Sequence, residues 1–327
     1  MKTSRMMIAG TAALAAWGIV PTAAQASPAS AVTWTRQALA VHPPARTGSA
    51  MAYDAATGTV VLFGGDGTSL GSFLADTWTW NGTTWMKRHP AASPPAREDA
   101  AMAYDAATGT VVLFGGIGNG SDNLLRDTWT WNGTTWTKRH PAASPPARED
   151  AAMAYDAATG TVVLFGGAGG PGNDTWTWNG TTWTKQLPAA SPPARDDAAM
   201  AYDAATGTVV LFGGENGQYL ADTWTWDGTT WTKRHPAASP PGRYGAAMAY
   251  DAATGTVVLF GGRGASSTHL ADTWTWNGTT WTQQHPAASP PGRAFAAMAY
   301  DAATGTAVLF GGTGPSARYR SDTWTWG

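Results

Sequence analysis

The chain has 327 residues, a formal net charge of −2 and no cysteine. A mildly acidic chain without basic runs argues against a nucleic-acid partner. The missing thiols exclude cysteine catalysis, cysteine-ligated metals and an acylated-cysteine membrane anchor.

The first 26 residues have the layout of a secretory signal peptide. Lys2 and Arg5 supply the positive start, residues 6–20 form the apolar stretch, and small residues precede a cleavage site after Ala26. We therefore expect a secreted, extracellular protein with a short linker over 27–31. No later stretch is long and apolar enough for a spanning helix, so we expect no membrane anchor.

The rest of the chain repeats one unit six times. The phrase Met-Ala-Tyr-Asp-Ala-Ala-Thr-Gly-Thr begins at Met51, Met102, Met153, Met200, Met248 and Met298. Each copy continues with an apolar run ending in Phe-Gly-Gly and then with Asp-Thr-Trp-Thr-Trp. A period of about 50 residues is typical of solenoids and propellers. We therefore treat 32–327 as one domain whose repeats begin near residues 47, 98, 149, 196, 244 and 294.

One copy contains four predicted strands and no helical pattern. Residues 100–104 are small and apolar, and 110–114 form a β-branched run typical of a strand buried on both faces. Residues 127–131 alternate Thr and Trp, which places both indoles on one face. The Asn-Gly pair at 132–133 predicts a type I′ hairpin turn before a fourth strand at 134–138. Four short antiparallel strands, repeated, predict a propeller blade.

The two ends of the repeat region complement each other. The last copy stops after its third strand at Trp326, while an unmatched Val-Thr-Trp-Thr segment at 32–35 precedes the first copy. We predict that this segment supplies the missing fourth strand. The sequence therefore predicts an all-β, six-bladed propeller with four antiparallel strands per blade, closed by its N-terminal strand.

These features resemble the kelch-repeat family of β-propellers. The resemblance covers 32–327 and rests on the Gly-Gly doublet, the tryptophan of the fourth strand and the Pro-Pro-x-Arg linker between copies. A second tryptophan in the third strand departs from that family, which more often has one aromatic there. Some exported kelch propellers resemble galactose-oxidase-type copper radical enzymes, whose chemistry needs a cysteine crosslinked to a tyrosine. Since this chain has no cysteine, the resemblance extends to the fold only, and we expect no cofactor.

The copies differ in two segments that an up-and-down blade brings to one face. The first is the loop after Gly-Gly, where Tyr219, His269 and Tyr319 are candidate ligand-binding residues. The second is the pair of residues after each linker arginine. Loops on a rigid scaffold are where binding is usually placed, so these segments predict a binding face at the mouth of the central channel.

The residue pairs give this mouth an acidic side and an aromatic side. The candidate acids are Glu98, Asp99, Glu149, Asp150, Asp196 and Asp197. The candidate aromatics are Tyr244 and Phe295, and the neighbouring linker arginines are Arg97, Arg148, Arg195 and Arg243. Two interpretations are open. The acids face a cation, a basic peptide or a sugar, or they pair with the arginines as structural groups.

The favoured function is a monomeric, non-catalytic binding module for an unidentified extracellular glycan, cell-wall component or protein. One alternative is a carbohydrate-active enzyme that uses carboxylates at the mouth. However, neighbouring acids such as Glu98 and Asp99 would point to opposite faces of a strand. A second alternative is a purely structural repeat protein. No two histidines have a short metal-ligand spacing, so we assign no metal site and no catalytic residue.

Overall fold

Six four-stranded antiparallel sheets build the protein, one for each repeat. They are seen in a computed structural model that describes residues 32–67, 73–119 and 123–327. Val32–Gly327 form one compact unit, whereas the predicted signal peptide and the linker at 27–31 lie outside the described residues. Within the described ranges, no helix has the length and apolar character needed to cross a bilayer.

Each blade takes its strands in chain order from the axis outward, and blade 1 begins at Ala50. The first strands are Ala50–Asp54, Ala101–Asp105, Ala152–Asp156, Ala199–Asp203, Ala247–Asp251 and Ala297–Asp301. The second strands are Thr59–Phe63, Thr110–Phe114, Thr161–Phe165, Thr208–Phe212, Thr256–Phe260 and Thr306–Phe310. The third strands are Thr77–Trp80, Thr128–Trp131, Thr175–Trp178, Thr223–Trp226, Thr273–Trp276 and Thr323–Trp326. The fourth strands are Trp85–Arg88, Trp136–Arg139, Trp183–Gln186, Trp231–Arg234, Trp281–Gln284 and, for blade 6, Trp34–Arg36.

A few shorter elements lie in the loops between these strands. Four two-residue strands occur at Arg97–Glu98, Ile117–Gly118, Thr313–Gly314 and Arg318–Tyr319. Single 3-10 turns occur at Ala265–Ser267 and Pro315–Ala317. Apart from Arg97, which is repeated in every copy, the residues of these elements belong to the segments that differ between the copies.

The N-terminal strand closes the ring as predicted. Trp34 lies opposite Trp326 and Arg36 lies opposite Trp324 in an antiparallel pairing. Trp34 is also buried in the cluster between blades 5 and 6. The first and last segments of the described chain therefore share one sheet, which confirms the predicted closure.

The hairpin between the third and fourth strands differs from the prediction. Trp131 pairs with Trp136, so four residues connect the strands instead of two. In this loop, Gly133 has a positive φ of 91°, and the side chain of Asn132 holds the loop closed. Its Oδ1 accepts hydrogen bonds from the backbone N–H of Thr134 at 3.1 Å and of Thr135 at 2.9 Å. The predicted type I′ turn is therefore wrong, and the fourth strand begins at Trp136 because an Asn side chain closes a longer loop.

The apolar core lies between the blades. Ala50 and Phe63 of blade 1 pack against Met102, Leu113 and Trp136 of blade 2. The rings of Phe63 and Trp136 meet edge to face, with centroids 5.4 Å apart. Five equivalent clusters join the other neighbouring blades in a cycle. Each sheet thus packs on both faces, which explains the uninterrupted apolar run of its second strand.

A cycle of tryptophan hydrogen bonds accompanies these clusters. Trp136 Nε1 donates to Thr77 Oγ1 of the preceding blade at 2.9 Å. The same bond joins Trp183 to Thr128, Trp231 to Thr175, Trp281 to Thr223, Trp34 to Thr273 and Trp85 to Thr323. A buried hydrogen bond contributes about 1 kcal/mol net to stability. The bond from Trp34 completes the cycle, so the closing strand joins blades 5 and 6 as well as filling its own sheet.

Candidate functional site

The two variable segments of each blade contact one another at one end of the propeller. The residue after each linker arginine pairs with the first residue after Gly-Gly, as Glu98 does with Ile117. The other pairs are Thr47 with Asp66, Glu149 with Ala168, Asp196 with Glu215, Tyr244 with Arg263 and Ala294 with Thr313. We call this end of the molecule the mouth face. It carries the sequence differences on a common backbone arrangement.

A closed ring of backbone hydrogen bonds surrounds the axis at the mouth face. Its members, the ring residues, are the second residue after each linker arginine: Gly48, Asp99, Asp150, Asp197, Gly245 and Phe295. Each N–H donates to the carbonyl oxygen of the ring residue in the preceding blade, at 2.8–3.2 Å, and Gly48 closes the cycle by donating to Phe295. All six have positive φ, between 53° and 59°. Non-glycine residues rarely adopt this region, so Asp99 does not continue the strand in which the sequence placed it.

Each ring side chain leans over the preceding blade. A Cβ on Gly48 would clash with Oδ1 of Asp99, and one on Gly245 would lie 2.8 Å from the ring of Phe295. The glycines therefore provide the space that the next blade's side chain fills. In blades 2 to 4, three aspartates follow one another instead, and we call Asp99, Asp150 and Asp197 the acid stack.

The surroundings of the acid stack favour the protonated state of its carboxyl groups. Burial, followed by the charges of Asp150 and Glu98, raises the pKa of Asp99 well above its ordinary value. Burial also raises the pKa of Asp150, to about 7, even though a hydrogen bond from Asp197 opposes the rise. Burial and Asp150 together raise the pKa of Asp197 well above its ordinary value. Because two ionised carboxylates cannot hydrogen bond to each other, the Asp150–Asp197 contact requires a shared proton.

The remaining predicted acids flank the stack. Burial, then the charges of Asp66, Asp150 and Glu149, raises the pKa of Glu98 to about 7. Burial and Asp196 raise the pKa of Glu149, and burial raises that of Asp196. The six predicted acids are thus brought together on one side of the mouth, with neighbouring negative charges in place of basic partners.

One group within this cluster has the spacing of a metal site. Carboxylate oxygens of Asp99, Glu149 and Asp150 lie within 4.8 Å of one another. Burial is the largest cause of the raised pKa in each of the three groups. Acidic groups at this spacing are common without an ion, so the spacing alone does not define a metal site.

The linker arginines are not available to a ligand, which corrects their place among the candidates. Arg97, Arg148, Arg195 and Arg243 are buried. In each, the guanidinium binds the aspartate that precedes Thr-Trp-Thr-Trp in the same blade. Arg148 donates to Asp174 from both terminal nitrogens at 2.7 and 3.0 Å, to Gly166 O at 2.7 Å and, from Nε, to Pro146 O at 3.2 Å.

This pairing also decides between the two interpretations of the acids. The aspartates that neutralise the arginines are Asp76, Asp127, Asp174, Asp222, Asp272 and Asp322. Burial opposes the ionisation of Asp174, but its hydrogen bonds from Arg148 and Trp176 outweigh burial and lower its pKa. The acids of the mouth face therefore do not pair with the linker arginines, and that predicted pairing is wrong.

The aromatic side of the mouth contains three of the predicted residues in one row. The rings of Tyr219 and Tyr244 lie 5.1 Å apart, and those of Tyr244 and Phe295 lie 5.8 Å apart. Arg263, which the sequence argument did not select, points one terminal nitrogen at Tyr244 Oη at 3.5 Å. It lies in a variable loop, so the differences between copies contained the signal for it.

A cavity of about 860 Å³ opens at the mouth face between blades 5, 6, 1 and 2. We call it the mouth cavity. The inner wall consists of Thr47, Glu98, Asp99 and Phe295. The loops of blades 5 and 6 supply Arg263, Ser266, Ser267, Thr268, His269, Thr313, Pro315, Ser316, Ala317 and Tyr319.

The mouth cavity brings together five of the predicted residues and separates others from them. Glu98, Asp99, His269, Phe295 and Tyr319 line it. Glu149, Asp150, Asp196, Asp197, Tyr219 and Tyr244 lie outside its lining. Hydroxyl-bearing residues that were not predicted also line the cavity. Among them are Thr47 and Thr313, whose hydroxyls hydrogen bond at 2.9 Å.

Tyr319 joins the cavity to a buried carboxylate. Its hydroxyl donates to Asp66 Oδ2 at 2.6 Å, and burial together with this bond raises the pKa of the tyrosine. Asp66 is only 4% exposed, and its Oδ1 has no hydrogen-bond partner among the described residues. The acidic wall thus extends behind Tyr319. His269, on the other side of the cavity, has its pKa lowered by burial and by Arg263 and Arg320, so its imidazole is neutral at pH 7.

Comparison with known proteins supports the fold and goes no further. The structure of YjhT is similar to this one with a TM-score of 0.65, over 87% of this chain and 95% of that chain, at 17% identity. No family model matches the sequence, and no curated protein does either. A structural similarity at this identity supports the six-bladed propeller fold, whereas function must be argued from the site itself.

Proposed function

We propose that the protein is a secreted, non-catalytic binding module of the kelch type, and that the mouth cavity holds its ligand. The proposed ligand is a small polar molecule or the exposed end of a larger one, of glycan or peptide chemistry. The volume of the mouth cavity lies in the range of roughly 300–1,000 Å³ that is usual for ligand sites.

One observation carries this proposal: every residue that lines the cavity belongs to a segment that differs between the copies. The six blades share nearly all of their strand residues, yet the lining of the mouth cavity contains no position from these shared strands. A structural repeat protein with drifting loops has no reason to gather polar, charged and aromatic residues around one space. Rigid scaffolds with variable loops are the usual arrangement of a binding protein.

The loops that form the cavity are also held in a demanding conformation. Ser266 and Ser267 of blade 5 have positive φ, as do Ser316 and Ala317 of blade 6. Two successive non-glycine residues in this region cost of order 1–3 kcal/mol each. Such strain is common where a backbone presents groups to a ligand, which supports a binding role for both loops.

The enzymatic alternative finds less support in the geometry. Glycoside hydrolysis needs one protonated and one ionised carboxyl group. Burial raises the pKa of both Glu98 and Asp99, but these shifts by themselves assign neither residue as the acid or as the nucleophile.

A cavity-filling substitution tests the proposal. The full chain would be labelled and applied to glycan and peptide arrays, together with the variant Thr268→Trp. Thr268 is exposed, lines the cavity and has ordinary extended backbone angles, so the indole should occupy the cavity without disturbing the fold. We expect the array ligands of the parent protein to be lost.

Gln218→Trp is the matched control, because Gln218 holds the equivalent position in the blade 4 loop, outside the cavity lining. It should retain the array ligands. Ligands that persist in Thr268→Trp, or arrays without any ligand, would contradict the proposal. Mass spectrometry of each ligand after incubation would reveal turnover and so favour the enzyme instead.

A further inference from the structure

The mouth cavity has acidic residues on one wall and a basic residue on the opposite wall. Glu98 and Asp99 lie on the wall from blade 2, and Arg263 lies on the wall from blade 5. Among the described residues, the ion pairs within 4.0 Å all belong to the six linker arginines. In the part of the chain that the structure describes, Glu98, Asp99 and Arg263 therefore have no ion-pair partner within 4.0 Å.

The wall that contains Arg263, which we call the basic wall, is suited to bind an anion. The Nε of Arg263 is buried and has no hydrogen-bond partner among the described residues. Within the same residues, the side chain donates one long hydrogen bond, from a terminal nitrogen to Tyr244 Oη at 3.5 Å. A guanidinium is the side chain best suited to bidentate recognition of a carboxylate. Since His269 is neutral and neighbours Arg263, it adds a hydrogen-bonding group without a second fixed charge.

The acidic wall is prepared for a cation. Besides Glu98 and Asp99, the buried Asp66 lies behind Tyr319, and its Oδ1 has no hydrogen-bond partner among the residues that the structure describes. A buried carboxylate that lacks partners is costly, and a cation beside it would relieve this cost. A protonated amine offers three N–H donors to such a group of oxygens.

The size of the cavity limits the distance between the two charges. A volume of about 860 Å³ corresponds to a space roughly 10 Å across, which two to three extended residues span. Between the charged walls lie the apolar surfaces of Phe295, Pro315 and Ala317, against which a side chain of the ligand can pack.

We propose that the mouth cavity binds short peptides with free ends, with the amino terminus at Glu98 and Asp99 and the carboxylate at Arg263. A di- or tripeptide supplies both charges at the required separation, whereas a neutral glycan supplies neither. This inference rests on the proposed binding role of the cavity and names its ligand class.

The experiment compares peptides that differ only at their ends. A library of di- and tripeptides with free ends is screened against the full chain by saturation-transfer NMR, and dissociation constants of the bound peptides are measured by calorimetry. Each is then compared with its N-acetylated and its C-amidated form. We expect each blocking group to weaken binding at least 10-fold. Equal binding of free and blocked peptides would overturn the inference.

Two variants locate the charges within the cavity. In Arg263→Gln the free and amidated peptides should bind alike, and in Glu98→Gln the preference for a free amino terminus should fall at least several-fold. Arg318→Gln and Glu149→Gln are the matched controls, because these residues lie at the mouth face outside the cavity lining, and both should keep the parent preferences. Unchanged preferences in the first two variants would also overturn the inference.

The outcomes separate this inference from the proposed function. If no peptide of the library binds at 10 mM, while array glycans bind the parent protein and are lost in Thr268→Trp, then the peptide assignment fails and the binding role stands. If neither class binds, both proposals fail. Melting temperatures of all variants establish that each one is folded before its binding is compared.

Discussion

The interior of the blades and the mouth face treat charge in opposite ways. In the interior, Arg148 is wholly buried and each of its nitrogens has an acceptor, including both oxygens of Asp174. At the mouth face, Arg263 has no carboxylate within 4.0 Å among the described residues, and the acid stack faces other acids. The interior repeats in all six copies, whereas the mouth residues differ between them. The arginine–aspartate pairs are thus repeated in all six blades, whereas the ionisable residues of the mouth face vary between blades.

The largest effect should come from removing the N-terminal strand that completes blade 6 and closes the ring. Deleting residues 31–36 removes Trp34 from its cluster and its hydrogen bond to Thr273. Loss of a buried tryptophan alone costs roughly 3–5 kcal/mol, and the third strand of blade 6 becomes an unpaired edge. We expect a much lower melting temperature, measured by calorimetry, and dimers or aggregates in light scattering. Thr35→Ala, at an exposed position of the same strand, should leave both measurements unchanged, whereas a stable monomeric deletion variant would contradict the closure.

The next effect contrasts an interior arginine with one at the mouth. Arg148→Met leaves Asp174 buried without its partner, so we expect a loss of about 3–5 kcal/mol in the free energy of unfolding. Arg318→Met changes an exposed residue and should cost no more than about 0.5 kcal/mol. Urea unfolding of both variants measures the difference. Similar losses in the two variants would remove the distinction between the two regions.

A smaller, pH-dependent effect should come from the acid stack. Asp150 has a pKa of about 7 in the folded protein, above the value of roughly 3.9 for an unfolded chain. The folded state therefore binds this proton more tightly, and the stability it contributes is present at low pH and lost as the pH rises through 7. Asp150→Asn should be more stable than the parent protein at pH 8 and differ little from it at pH 4.

Thermal unfolding between pH 4 and 8 measures this effect. Asp227→Asn is a suitable control, because backbone hydrogen bonds outweigh a slight burial and lower the pKa of this exposed group. Its stability should therefore not follow the same pH course. If the parent protein and Asp150→Asn lose stability in parallel over this range, ionisation of Asp150 does not destabilise the folded protein.

Much of the fold was open to prediction because every copy supports the same reading. The second strand is apolar throughout in each repeat, so its burial on both faces follows directly. The unmatched Trp34 segment and the missing fourth strand of the last copy identified each other. The hairpin loop was mispredicted because an Asn-Gly pair fits two loop lengths, and only the Trp131–Trp136 register shows which one forms.

The partners of the linker arginines were also within reach of the sequence. Arg148 and Asp174 occupy positions that are repeated in every copy, and a side chain that never varies is best paired with another that never varies. The predicted pairing of the linker arginines with the mouth acids was wrong because the arginines are repeated in every copy, whereas the mouth acids are not. The positive φ of Asp99 had no such signal, because a ring around the axis imposes it and no single blade does.

The sequence by itself determined the six blades, their closure by the N-terminal strand and the grouping of the differences into two segments. These properties depend on local patterns that each repeat contains in full. The tertiary structure alone decided which of the differing residues share the mouth cavity, because Glu98, Arg263 and Tyr319 come from three different blades. Their approach depends on the curvature of the closed ring and on the direction in which each ring side chain leans over the blade before it, and both are properties of the packed blades together.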